Sequence, residues 1–444
     1  FEVAEYRASE FKVRAESDRP SYIRGDQAKW TVGGDFLYGA PMAGARSNTL
    51  VGRSRTWFSP PNHSDFATSD DSYQEDRRDQ AQNSGEVTSN DVPLDAAGMA
   101  TLSAKLEMPG QIGPEQVRAD LEVTDLTRQV IGTTTTAVVH PAEHYVGVRL
   151  DERFVAAGTV LAPEFVAVTP AGERTVGAPI RVSLLKRKWA TAKQGVGADV
   201  TTVTSPVDET VASCSLTSAR TPVNCKLTPK DAGYYILRAT SEDSRKNPVA
   251  ASLVVYVTGE SGDSFASFEE TDSSEIELVL DKETYKVGDK AKVLVKSPWK
   301  NAEALVTTER KGVLERRWVT LTGAAPLIEV PVTEAVRPNV YLSVLVFKKR
   351  TGKQPYDWLK PDVGAPGYRI GYAQISVEKE SRRLAVDVVP SSTNLSPGAE
   401  LGVTLKVKDA QGRGTKSEVT LIAADLGVLS LVGYQLPDPV AVFG

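Results

Sequence analysis

The sequence has 444 residues, 41% of them hydrophobic and 25% charged, with 52 Lys and Arg against 57 Asp and Glu. That length exceeds what a single hydrophobic core serves, so three or four domains are expected, and the composition is that of a globular protein rather than a disordered or collagen-like one. A net charge of -5 provides no field to gather phosphate backbones, which argues against nucleic acid as a partner, and the longest apolar stretch, Val249 to Val257, is far short of the roughly 20 residues that span a bilayer.

Residues 1–8 read as the end of a preceding domain or a linker. Phe1 is not Met and no charged segment precedes an apolar one, so any targeting segment is expected upstream. A first domain is predicted over 9–141. It opens with the period-two alternation Phe11-Lys12-Val13-Arg14, which describes a half-buried antiparallel strand. A long polar insertion at 62–91 interrupts it, with most of its charge in Asp70, Asp71, Glu75, Asp76, Arg77, Arg78 and Asp79. This insertion has almost no apolar periodicity and is expected to be exposed, although the polar segment after Trp57 has room for a helical turn. Its acidic loop from Asp70 to Asp79 lacks the Gly and bidentate Glu of an EF-hand loop, so a solvated loop is expected rather than a cation site.

His140-Pro141-Ala142-Glu143 is a polar break, and a second domain is predicted over 142–259. Its basic cluster Lys186-Arg187-Lys188 reads as a solvated strand end. Cys214 and Cys225 are the two cysteines. Short strands flanking a turn would set them side by side, so a hairpin disulfide is the favoured reading and two free thiols the alternative. The bond would require an oxidising compartment, the periplasm or cell exterior. Residues 260–274 read as a linker. A third domain is predicted over 275–380, and an incomplete fourth over 381–444 that is too short for a closed sandwich.

One pattern recurs along the chain: an apolar residue, two or three spacers, then Gly before an alternating strand. It occurs at Tyr22 to Gly25, Phe154 to Gly158, Tyr285 to Gly288 and Leu395 to Gly398, at intervals of roughly 130, 130 and 110 residues. A tight turn with glycine at positive φ is the expected cause. The fold class is therefore all-β, a tandem array of antiparallel β-sandwich domains of fibronectin- or immunoglobulin-like character.

Chemistry is sparse. Only His63, His140 and His144 are present, and the last two, four apart, lie in a Pro-containing break where that spacing does not converge on a metal. They are read as surface or hinge residues. No nucleophile elbow, Walker loop or dinucleotide fingerprint occurs. No catalytic, cofactor-binding or metal residues are assigned, no cofactor is expected, and the chain is read as not an enzyme.

Three stretches resemble bacterial alpha-2-macroglobulins. They are the opening Phe1-Glu2-Val3-Ala4-Glu5-Tyr6-Arg7 with Tyr38-Gly39-Ala40-Pro41-Met42; Ser297-Pro298-Trp299 with Ala304 to Val313, Arg337-Pro338-Asn339-Val340-Tyr341 and Gly371-Tyr372; and Ala424 to Tyr434 ending in Pro437-Asp438-Pro439. Leu426 departs from the acidic residue usual in the family. The resemblance implies macroglobulin-like domains and an endopeptidase inhibitor, a broad-spectrum trap that closes after a protease cuts a bait region. It places a bait-proximal segment at Asp425, Leu429, Tyr434, Pro437 and Asp438, where the bait would interrupt the fourth domain. It further implies proteases as partners through the full-length protein, a link to peptidoglycan-synthesis envelope proteins such as a penicillin-binding protein, and a periplasmic location as an inner-membrane-anchored lipoprotein whose lipid anchor lies outside these residues. Neither cysteine stands in a thioester motif. Tandem sandwiches alone also fit a cell-surface adhesion or spacer array.

Overall fold

The structure, a computed structural model, describes residues 10–74, 85–108, 112–194, 201–259, 273–299, 301–322, 326–353, 362, 364–379, 383–393 and 398–422. It is almost wholly β. The first sandwich contains β1 (Phe11–Ser17), β2 (Ser21–Ile23), β3 (Gln27–Phe36), β4 (Arg46–Arg55), β5 (Gly85–Pro93), β6 (Met99–Lys105), β7 (Glu115–Thr124) and β8 (Val130–His140). Its sheets are β1-β3-β6 and β2-β8-β7-β4-β5. The second contains β9 (Tyr145–Arg149), β10 (Phe154–Ala156), β11 (Glu164–Val168), β12 (Pro179–Gln194), β13 (Thr201–Thr217), β14 (Val223–Asn224), β15 (Gly233–Glu242) and β16 (Pro248–Thr258), in sheets β14-β11-β9 and β10-β16-β15-β12-β13. The third contains β17 (Leu278–Leu280), β18 (Thr284–Tyr285), β19 (Lys290–Val295), β20 (Ala302–Glu309), β21 (Val313–Leu321), β22 (Leu327–Pro331), β23 (Asn339–Lys348) and β24 (Gly367–Val377), in sheets β17-β19-β22 and β18-β24-β23-β20-β21. A hairpin of β25 (Ala385–Pro390) and β26 (Val403–Lys408) follows. The first two sandwiches form one compact unit, and the third with the hairpin forms another.

Side-chain alternation builds these layers. Along β20 every second residue from Ala302 to Thr308 is buried, and along β7 Val117, Ala119, Leu121 and Val123 all face inward. Each buried aliphatic or Phe side chain contributes about 1.5–3 kcal/mol.

The recurrent turn is what repeats the plan. Gly25, Gly158, Gly288 and Gly398 adopt φ of 87°, 83°, 100° and 84°, a region that costs glycine nothing and other residues much. The first three let a short strand, β2, β10 or β18, fold back parallel to the last strand of its own sandwich. Tyr22 thus lies opposite Val139, Phe154 opposite Tyr256, and Tyr285 opposite Val377. Two of the turns share a feature the sequence pattern did not flag. Tyr22 Oη donates to Asp18 at 2.6 Å and Tyr285 Oη to Asp281 at 2.8 Å, and each Asp also accepts a backbone N–H, from Lys29 and Lys292. The signal is Asp four residues before the Tyr, and it is absent from the second copy, where Phe154 has no hydroxyl.

Two surface readings are corrected. Lys186 and Arg187 sit within β12 and not at a strand end. Arg187 is buried because Asp208 of β13 neutralises it through two hydrogen bonds of 2.7 and 2.8 Å, while Lys186 pairs with Asp231. The polar insertion is exposed only in part. Residues 56–74 of the β4–β5 connection pack on the second sandwich, Phe66 joins that sandwich's core, and Asp70 is buried against Arg238 at 2.8 Å rather than solvated. The helical turn expected after Trp57 is α1 (Asp71–Gln74).

The hairpin behaves differently. Val386 faces Val407 and Val388 faces Leu405, giving one apolar face, yet every residue of β25 is exposed.

Candidate functional site

The predicted site residues fall in three places, and the joint between the first two sandwiches collects most of the chemistry. His140 ends β8, and its Nδ1 lies 2.9 Å from Tyr145 Oη at the start of β9. Phe58 closes over both, edge-on to His140 at 4.5 Å and stacked on Tyr145 at 5.4 Å. Burial in this apolar wrapping disfavours the imidazolium and pushes His140 down to about 4. His144 also ends up buried. Its Nε2 is 2.8 Å from Ser241 Oγ, whose own proton goes to the Pro179 carbonyl at 2.7 Å, so Nε2 must carry the hydrogen and donate. Burial lowers the His144 pKa, and the nearby Asp243 and Glu143 only partly oppose this.

Charge at the joint is held in a separate network. Asp243 accepts the backbone N–H groups of Glu143, Arg245 and Asn247 at 3.0, 2.9 and 2.8 Å. Burial raises its pKa, but these hydrogen bonds outweigh it and hold the carboxyl below its usual value. Arg245 then bridges the sandwiches, reaching Asp26 at 2.6 Å and Glu143 at 3.1 Å. The histidines are therefore at the hinge as read from sequence, but buried and not on the surface. His63 is likewise used up, with Nε2 3.0 Å from the Gly172 carbonyl. Among the described residues no group of three or more His, Cys, Asp or Glu is placed to hold a metal ion, and no helix is long and apolar enough to cross a membrane.

Cys214 and Cys225 are bonded, with an S–S distance of 2.07 Å and Cα atoms 6.7 Å apart. The setting differs from the expected hairpin. Cys214 lies on β13 of the five-stranded sheet, whereas Cys225 directly follows β14 of the three-stranded sheet. The bond thus ties the two sheets of the second sandwich together at their margin, because the chain between the cysteines crosses from one sheet to the other.

The bait-proximal residues Asp425, Leu429, Tyr434, Pro437 and Asp438 lie outside the described residues. The segment leading toward them leaves Val419, Leu421 and Ile422 exposed, the last at 71%. A cavity of about 150 Å³ opens beside Arg181, Arg238 and Glu242, well under the ~300–1,000 Å³ of small-molecule sites. The arrangement suits mechanical joining rather than bond-making. Sequence reasoning missed Phe66, Tyr73, Asp70 and Arg238 as an interdomain contact, since a lone aromatic in a polar run carries no periodic signal.

Residues 276–431 match the family described as the Alpha-2-macroglobulin bait region domain. An alpha-2-macroglobulin homolog of Nostoc sp. is 26% identical over 99% of this chain and 22% of its own length. Alpha-2-macroglobulin of Xylella fastidiosa is 30% identical over 38% of this chain and 10% of its own length. The native Escherichia coli alpha-2-macroglobulin structure aligns over 99% of this chain and 27% of its own at 18% identity and a TM-score of 0.42. The chain spans less than a quarter of the length of these curated relatives. With one relative aligned across nearly all of its residues and a bait region domain matched in its second half, the chain is similar to bacterial alpha-2-macroglobulins.

Proposed function

We propose that these residues are scaffold of a broad-spectrum protease inhibitor that traps its target after bait cleavage and domain rearrangement. The observation that carries the reading is the bait region domain match over 276–431, which takes in the third sandwich and the uncovered hairpin. Stiff sandwiches joined by buried polar contacts would transmit a cut in the bait as movement of whole domains. Proteases are the partners, met through the full-length protein. The periplasm is the proposed location, supported by a disulfide that persists only in an oxidising compartment.

The test compares the 444-residue chain with the full-length protein against one serine protease. The chain alone should leave hydrolysis of both a small chromogenic peptide and a large protein substrate unchanged. Full-length protein should suppress attack on the large substrate and spare the small one. Full-length protein that suppresses neither would overturn the proposal in favour of a spacer or adhesion array.

A further inference from the structure

The β4–β5 connection belongs to the first sandwich by sequence and to the second by contact. Leaving β4, the chain passes Pro61, whose carbonyl O would stand 2.4 Å from a Cβ on Gly172, so the approach requires glycine there. Phe66 then enters the second core at 4% exposure, with Arg149 stacked on its ring at 4.7 Å. Ala67 pairs with Val148 through two backbone hydrogen bonds of 2.9 Å, extending the free edge of β9. The path rounds the sandwich to the other sheet, where the Ser69 carbonyl accepts the Ser252 N–H at 2.9 Å and the Ser252 hydroxyl accepts the Tyr73 N–H at 3.1 Å. Asp70 pairs with Arg238, its side chain 3% exposed. Tyr73 closes the run with the Arg238 guanidinium 3.9 Å and the Arg187 guanidinium 5.5 Å from its ring.

We propose that residues 58–73 are a strap that locks the first and second sandwiches into one mechanical body, with the second core complete only when Phe66 is seated. Separate sandwiches in a chain ordinarily meet through small polar interfaces and move against each other. Here movement would require pulling an aromatic out of a core, breaking a backbone bridge and separating a desolvated ion pair together. In a trap that works by domain rearrangement, this joint is one that does not bend. That use rests on the function proposed above, whereas the lock itself does not.

Hydrogen exchange on the 444-residue chain tests the lock. The amides of Ala67, Val148 and Ser252 should exchange as slowly as those of the central strands β7 and β15. In the double variant Phe66→Ala/Asp70→Ala all three should exchange at least about a hundredfold faster, while Val51 and Leu121 of the first sandwich stay protected. Phe66→Leu, which keeps an apolar plug, should restore most of the protection. Free exchange of Ala67 and Ser252 in the unaltered chain would overturn the proposal, as would a double variant that leaves Val148 and Ser252 protected. If the double variant does not fold, Asp70→Asn alone is read by the same amides. No protease enters the measurement, so a strap that holds in a protein that traps nothing would refute only the function.

Discussion

The second sandwich and the β25–β26 hairpin are made of the same kind of sequence and meet opposite fates. Both alternate apolar and polar residues, yet Leu237, Ala239 and Val255 of the sandwich are fully buried while Val386 and Val388 of the hairpin are 46% and 55% exposed. The difference is enclosure. The sandwich has two sheets, an intersheet disulfide and a borrowed aromatic, whereas an isolated two-stranded ribbon is marginal in water. Alternation states which face wants covering, and only further chain decides whether it is covered.

That contrast can be broken or sharpened by measurement. Phe66→Ala should lower the stability of the first two sandwiches by about 3–5 kcal/mol, the cost of emptying a core position, read from the denaturant midpoint; a shift typical of a surface residue would return Phe66 to the loop. Acidification should act on the same unit. His140 in the folded chain sits at about 4 against 6.5 when exposed. The unfolded chain therefore binds the proton first, so the stability due to this site is whole above pH 6.5 and is lost as pH falls toward 4, up to about 3 kcal/mol. Thermal melts across that range should show the loss, and His140→Gln should shrink it, leaving the part due to buried His144. A flat profile in the unaltered chain would mean that His140 is solvated.

The disulfide comes next. Replacing both Cys214 and Cys225 by Ala opens a loop of sequence separation 11, worth about 3 kcal/mol by chain entropy, and the loss should be confined to the first two sandwiches. The smallest effect belongs to the hairpin. Val388→Ala in this chain should change stability by less than about 0.5 kcal/mol, as for other exposed positions. A loss as large as that of a core valine would show the hairpin face to be covered and erase the contrast.

What the sequence disclosed and what it hid divide along range. The turn glycines announce themselves because positive φ is a local demand, and the alternating strands because a face repeats every second residue. The four turns and the β class could therefore be read directly, and the cysteine pair as a bond, though not as one joining two sheets. The strap could not. Asp70 meets Arg238 across 168 residues, and its neighbours Asp71 and Glu75 make it look like one more solvated acid. Arg187 hid in the same way, since the carboxylate that permits its burial stands on the next strand. His140 and His144 were placed at the hinge by the break around Pro141, but their burial comes from Phe58 and Ser241, which no spacing rule connects to them.

The strap also sets a timetable. Synthesis releases Phe66 and Asp70 long before Arg238 and Ser252, and at ribosomal speeds of about 5–20 residues per second the interval of 168 residues lasts roughly ten to thirty seconds. The first sandwich can close in that time, leaving its loop extended with an unburied phenylalanine. The second sandwich must then assemble around a segment already waiting, so its folding in the cell is ordered behind that of the first. A protein truncated between β8 and β16 would carry the waiting segment permanently, as a sticky and cleavable loop.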